Sequence, residues 1–262
     1  MHVVPESASG VLAPPAMPLR LAGISFRFRY LRALLLKWFL IFLAGSLAIT
    51  ALFRWAPIPF SSLMLQRQMS ASLAGKKTYQ QRYNWTDIEK ISMHIPLAVL
   101  AAEDQKFLGH RGFDLEAINK AWLANQKRKN PRGASTISQQ VAKNLYLWPG
   151  KSFFRKGVEA YFTILLEGLW SKRRILEVYL NVAEFGPGIF GVEAASQAYF
   201  HKSAAKLNAA EAAILAAILP SPLRSNAIQP SGYITNRAWH IQQQMRLMGG
   251  TGYIRSLIKP KA

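Results

Sequence analysis

The stretch Ile95-Pro-Leu-Ala-Val-Leu-Ala-Ala102, followed by Glu103-Asp104-Gln-Lys-Phe107-Leu-Gly-His110-Arg-Gly112, sets an apolar run against two adjacent carboxylates, an aromatic ring and a histidine. A carboxyl group at the end of an apolar segment is partly desolvated, and desolvation favours its neutral form. Phe107 lies four residues after Glu103 and His110 three further on. A helix continuing through them would carry all three on one face. Downstream, Gly133-Ala-Ser135-Thr136-Ile-Ser-Gln139-Gln140-Val-Ala-Lys143-Asn144 opens a small-residue turn into polar amides, an unusual composition for a core helix. Taken alone, paired carboxylates also fit a solvated surface, because perturbed acids mark sites only statistically. A lone histidine equally fits a structural role.

Outward from these two blocks the punctuation is helical. Asp114 can cap a helix running to about Gln126, which ends in the basic turn Lys127–Pro131. Ser135 or Thr136 can start a second helix through Leu145, stopped by Trp148-Pro-Gly150. Phe153 to Trp170 carries Phe154, Val158, Tyr161, Phe162, Leu165 and Leu169 at spacings of three and four. Ser171 caps the next helix, which Phe185-Gly-Pro-Gly188 ends. Asn208 and Glu211 form a capping box ahead of Ala212–Leu219. A last helix is expected from about Thr235 to Leu247. No alternating strand and no internal repeat stands out, so the reading is an all-α, mainly helical domain.

A second charged cluster, Arg155-Lys156-Gly-Val-Glu159, brackets one carboxylate with cations at i,i+4 and i,i+3. An ordinary surface ion pair has the same spacing and contributes little. Arg and Lys on adjoining helices, with Lys143 behind the amides, would suit a diphosphate, because oxyanions take forked donors and point charges together.

The N-terminal part decides the compartment. Trp38–Phe53 is sixteen residues without a charge, and adding Ala33–Lys37 gives a span of about 31 Å at the helical rise. That length matches a bilayer's hydrocarbon core. A cleaved signal peptide fits less well, since no clear A-x-A site follows. Arg20, Arg27, Arg29, Arg32 and Lys37 precede the span and Arg54 alone follows closely. The positive-inside rule then puts the N-terminus in the cytoplasm. The expected division is residues 1–32 as a cytoplasmic tail, disordered over 1–19, residues 33–54 as a transmembrane signal-anchor helix, and 55–262 as an exported, periplasmic domain. Pro59–Gln81 is expected close to the membrane surface.

The 262 residues carry 33 Lys+Arg against 13 Asp+Glu, a net charge of +20. Such a balance suits nucleic acid or an anionic membrane. Export favours headgroups or an anionic lipid substrate, and nucleic acid is not an expected partner. Cysteine is absent, which removes disulfides and thiolate chemistry.

Four ordered motifs now carry a resemblance. Residues 103–112 read E-D-x-x-F-x-x-H-x-G, 133–144 read G-x-S-T-x-x-Q-Q-x-x-K-N, 155–159 read R-K-x-x-E, and 172–181 read K-x-x-I-L-E-x-Y-L-N. In this order they resemble the peptidoglycan glycosyltransferases, with similarity from about Tyr83 to Gln243. Ala134 and Ser138 stand where many relatives have Gly and Thr, and the fifth family motif is matched only loosely by Arg237–Met245. No penicillin-binding transpeptidase domain with S-x-x-K and K-T-G is expected after them, which resembles the monofunctional branch.

The resemblance implies a lysozyme-like fold, a large lobe and a smaller membrane-facing jaw, with the cleft between them above the bacterial inner membrane. It implies polymerisation of lipid II into β-1,4 glycan with release of undecaprenyl diphosphate. Glu103 would be the general base. Glu159 would act with Lys143, Arg155 and Lys156 at the donor diphosphate. Asp104, Phe107, His110, Gly133, Ser135, Thr136, Gln140 and Asn144 would bind substrate or shape the cleft, and Glu177 would be structural. A divalent cation, Mg or Mn, is an allowed companion of the diphosphate, no metal ligands are assigned, and no organic cofactor is expected. Implied partners are lipid II, the growing glycan, inner-membrane lipids and proteins of cell division or wall synthesis. Two rivals remain: a lysozyme-like lytic muramidase, which also uses a glutamate against glycan, and a non-catalytic membrane-tethered division scaffold. The muramidase needs neither anchor nor cation cradle, and the scaffold leaves the ordered polar motifs without a purpose.

Overall fold

The computed structural model of the chain describes residues 21–76, 78–126, 133–150 and 152–258, with side chains from Arg29 onward. The readings of 1–19 as a disordered tail and of Lys127–Pro131 as a basic turn lie outside these residues. The chain divides into two compact units, residues 1–48 and 49–262.

The first unit is most of helix α1 (Leu21–Leu52). Its segment Arg29–Leu52 is long and apolar enough to cross a membrane, consistent with a single-pass anchor. The side chains of Leu35, Trp38, Phe39, Leu40 and Phe42 are exposed, as a helix bathed in lipid requires. The helix starts twelve residues before the expected Ala33 and ends at Leu52 rather than Arg54. Arg54 and Trp55 already donate three residues back, to Ala51 and Leu52. This tightened turn precedes Pro57, whose ring bars the helical conformation from the residue before it.

In the second unit the sequence builds a helical core around α3 (His94–Glu103), whose residues Ile95 to Ala101 are all buried. A helix apolar on every face has to be surrounded. It is packed by α9 (Ala209–Ile218) and α10 (Gly232–Leu247), with α11 (Gly252–Ile258) touching it as well. A second group packs α5 (Ile137–Tyr146) on α6 (Phe153–Leu169), α7 (Lys172–Val182) and α2 (Ser62–Leu73). Local caps set the starts: Asp114 for α4 (Leu115–Asn125), Thr136 for α5, Ser171 for α7 and Asn208 for α9 each accept a backbone N–H.

Four details depart from the sequence reading. Three short strands form one sheet in the order β1-β3-β2: β1 (Arg82–Tyr83), β2 (Glu184–Gly186) and β3 (Ile189–Phe190). β1 pairs with β3 in parallel and β2 with β3 antiparallel. Segments of two or three residues are too short to show an alternating pattern. α10 starts earlier, capped by Ser231, and is not last, because Gly249 and Gly250 lead into α11. α2 occupies the mixed segment after Pro59, capped by Ser61. Finally, α3 stops at Glu103, so Phe107 and His110 do not extend its face.

Candidate active site

The end of α3 explains why the helix stops where it does. Asp104 takes φ −161° and ψ 77°, turning its carboxylate into the protein. There it accepts hydrogen bonds from the backbone N–H of Ile137 at 3.0 Å and meets His110 Nε2 at 2.9 and 3.1 Å. The first turn of α5 is thus tied to the last of α3, and an anion sits at a helix N-terminus, where the dipole favours it. Thr136 adds a second tie, donating from Oγ1 to the carbonyl of Gly112 at 2.6 Å. Gly112 needs its φ of +85°, and a Cβ there would meet Thr163 Cγ2 at 2.8 Å. Phe107 is wholly buried, with the Lys172 ammonium 4.4 Å from its ring centre. Asp104, Phe107, His110 and Thr136 therefore fix the junction of the two motifs.

Glu103 is left pointing into the cleft, its side chain 14% exposed. A cavity of about 640 Å³ is lined by Glu103, Asp104, Gly133, Ser135, Tyr233 and Arg237, among others. Burial pushes the Glu103 carboxyl pKa up. The Gln140 hydrogen bond and the charges of Arg237 and Lys143 oppose that rise, and Asp104 adds to it. Gln140 Nε2 donates to Glu103 Oε2 at 2.9 Å, and Arg237 stands 3.6 Å from Oε1. Behind Gln140, the buried Tyr179 hydroxyl donates to Gln140 Oε1 at 3.1 Å. A smaller cavity of about 200 Å³ adjoins the other side of Gln140, lined by Lys143, Asn144, Tyr179, Arg67 and Glu184 as well.

One turn along α5, Lys143 faces the charges of both motifs. It is exposed, yet protein crowding lowers its pKa from the ordinary lysine value. Glu159 and Glu103 oppose this lowering, and Arg155 and Lys156 reinforce it. Solvent contact limits the desolvation, so Lys143 remains a cation. Glu159, 3% exposed, holds the other two cations. Lys156 binds its Oε1, and Arg155 Nη1 lies 3.7 Å from Oε2. Lys156 also reaches Ser135 Oγ at 3.5 Å, linking the second and third motifs. Arg155 Nε is buried without a partner, so the guanidinium has unspent donor capacity. Burial of one carboxylate among three cations leaves local positive charge for an anion.

A magnesium or manganese ion accompanying a diphosphate would take oxygen ligands, commonly one or two carboxylates together with the phosphates themselves. Among the described residues no three His, Asp or Glu side chains converge as ligands. Both oxygens of Glu159 already serve cations, whereas these metals take oxygen ligands.

Glu103, Gly133 and Ser135 thus line the larger cavity, Gln140, Lys143 and Asn144 line the smaller one, and Arg155, Lys156 and Glu159 form an ion cluster that reaches Ser135 through Lys156. Glu177 lies elsewhere, accepting from Arg174 at 2.5 Å and from the Ile88 N–H at 3.0 Å, as a structural residue would. Sequence reasoning missed Arg237 and Tyr233 beside Glu103. α10 meets α3 only through the fold, and the single hint was the loosely matched fifth motif.

Residues 69–246 match the transglycosylase family. The chain is 53% identical to a Klebsiella oxytoca protein named biosynthetic peptidoglycan transglycosylase, over 89% of this chain and 98% of that protein. Proteins of the same name are 50% identical in Pectobacterium carotovorum, over 87% of this chain and 93% of theirs. In Pasteurella multocida the identity is 53%, over 82% and 87%.

Proposed function

The chain belongs to the transglycosylase family, and on that premise we propose that this enzyme polymerises lipid II into β-1,4 glycan strands at the outer face of the inner membrane. The Glu103 carboxylate takes the proton from the 4-hydroxyl of the acceptor's GlcNAc. The freed oxygen bonds to C1 of the donor's MurNAc as the C1–oxygen bond to the diphosphate breaks. The electron pair leaves with undecaprenyl diphosphate, and attack from the opposite face inverts α to β. A diphosphate is a stable anion, so no strong general acid is needed. Lys143, Arg155 and Lys156 meet the charge that develops on it, which is where preorganised cations lower a barrier most. Glu159 holds Arg155 and Lys156 in place.

One observation supports this reading above the others. A carboxylate whose pKa burial has raised lines a cavity of about 640 Å³ and is joined by a single helix, α5, to a cluster of three cations. A general base works best with a pKa drawn toward the working pH, and α5 stands between base and cations, with Gln140 on Glu103 and Lys143 beside Glu159. A lytic enzyme has no use for the cations.

The apolar helix α1, with Arg29, Arg32 and Lys37 in its first part, supports a cytoplasmic N-terminus and a periplasmic catalytic unit. Tethering would raise the effective concentration of the site near a substrate whose prenyl tail stays in the bilayer. The test is direct. Purified full-length protein given labelled lipid II in detergent should yield polymer with β-1,4 linkages and one undecaprenyl diphosphate per bond formed. Cleavage of preformed glycan without polymer formation would overturn the proposal.

A further inference from the structure

We propose that Tyr179 is a positioning residue for the reaction, acting through Gln140 to orient and hold ionised the carboxylate of Glu103. The inference rests on the reading of Glu103 as the base, and deepens it.

The geometry is a linear relay across three elements. Tyr179 on α7 donates to Gln140 Oε1 at 3.1 Å, and Gln140 on α5 donates from Nε2 to Glu103 Oε2 at 2.9 Å. Which end of the Gln140 amide faces which neighbour follows from chemistry. An ionised carboxylate only accepts, so the amide NH₂ must face Glu103, and the carbonyl is left toward Tyr179. The Tyr179 ring is 1% exposed, and burial together with the nearby carboxylates Glu103 and Asp104 keeps its hydroxyl protonated far above neutrality. With its proton retained and the amide carbonyl facing it, the hydroxyl donates to Gln140. Without that donor the amide carbonyl loses the partner that holds it, and Gln140 is freer to turn its NH₂ away from Glu103.

Two consequences follow for the base. Oε2 is engaged by Gln140, so Oε1, on the side of Arg237, is the oxygen free to take a proton. A hydrogen bond donated to the charged form also favours ionisation, so the relay opposes the desolvation of Glu103. The other groups facing this carboxylate are Asp104 beside it, Arg237 from α10 and Lys143 from α5. None of these is altered by removing the Tyr179 hydroxyl.

The experiment is Tyr179→Phe in the full-length enzyme, with kcat and KM for lipid II measured across pH. The acid limb of kcat/KM should move up by about half a pH unit. kcat near neutrality should fall about three- to tenfold with KM within twofold, and part of the loss should return at higher pH. A structural defect alone would lower the amount of active enzyme without moving the limb. In a Gln140→Ala background, Tyr179→Phe should move the limb no further, because the relay is already cut. An unmoved acid limb in folded Tyr179→Phe, or a second, additive displacement in the double variant, overturns the relay. Should Tyr179→Phe not yield folded protein, Gln140→Ala must itself raise the limb, and an unmoved limb there overturns it equally. Glu103→Gln, run alongside, separates the two claims. If it keeps full activity the base assignment fails, whereas an inactive Glu103→Gln with a normal Tyr179→Phe profile defeats the relay alone.

Discussion

Arg237→Ala offers a quantitative check on the electrostatics around Glu103. The guanidinium lies 3.6 Å from Glu103 Oε1, with side chains 29% and 14% exposed. Two unit charges at that distance interact by about 1 kcal/mol in water and by about 5 kcal/mol at an effective dielectric near 20. Arg237 keeps solvent contact, so the lower part of that range applies after screening, about 1–1.5 kcal/mol. One pKa unit corresponds to about 1.4 kcal/mol. The sign is fixed by the charge: Arg237 favours the ionised carboxylate and opposes the rise that burial causes. Removing it therefore raises the Glu103 pKa further. The base must be ionised to accept a proton, so the acid limb of kcat/KM should move up by about one unit in Arg237→Ala, with the loss greatest at low pH. The assay is polymerisation of labelled lipid II in detergent from pH 5 to 9, at fixed low salt. A folded variant whose limb stays within 0.2 units (about a fifth of the expected shift), or moves down, would refute this placement of Arg237.

The cation cluster and the N-terminal helix can be tested in the same way. Arg155→Ala should raise KM for lipid II about tenfold or more, since hydrogen bonds to charged groups contribute roughly 1.5–3 kcal/mol. Glu177→Ala should lower Tm instead with KM little changed, and equal KM effects at matched Tm would count against the cation cluster. Truncation before Ile49 should leave an enzyme active in detergent, weaker on liposomes and weaker still at high salt. Removing residues 1–54 should go further and lower Tm by roughly 5 °C or more relative to that truncation, because Trp170 Nε1 loses the Thr50 carbonyl and Arg174 loses that of Phe53. Equal melting temperatures for the two truncations would show those carbonyls to be dispensable.

What the sequence made legible was local. Asp114, Thr136, Ser171 and Asn208 announce helix starts because a cap involves residues two or three apart, and each is a cap in the fold. The apolar run Ile95–Ala102 likewise foretold a desolvated Glu103. The misreadings come from contacts distant in sequence. Spacing alone carried a helix through Phe107 and His110, but Asp104 finds better partners in the Ile137 N–H and the His110 ring. β1 exists only because β3 lies beside it. Arg237 reaches Glu103 from α10, and nothing in the spacing of either residue encodes that approach. The same holds for Tyr179, which reads as one more apolar-face residue of α7 until its hydroxyl is found against Gln140.

The central claim is that Glu103 removes the acceptor's proton, and Glu103→Gln tests it most directly. The amide can still take part in a hydrogen bond with Gln140, so the fold and Tm should be retained, but it cannot accept a proton. A positioned general base contributes roughly 10²–10⁴-fold. With labelled lipid II and matched amounts of folded protein, the variant should form glycan polymer at below about one hundredth of the parent rate, at every pH where the parent works. Polymer formed by Glu103→Gln at more than about a tenth of the parent rate would contradict the account.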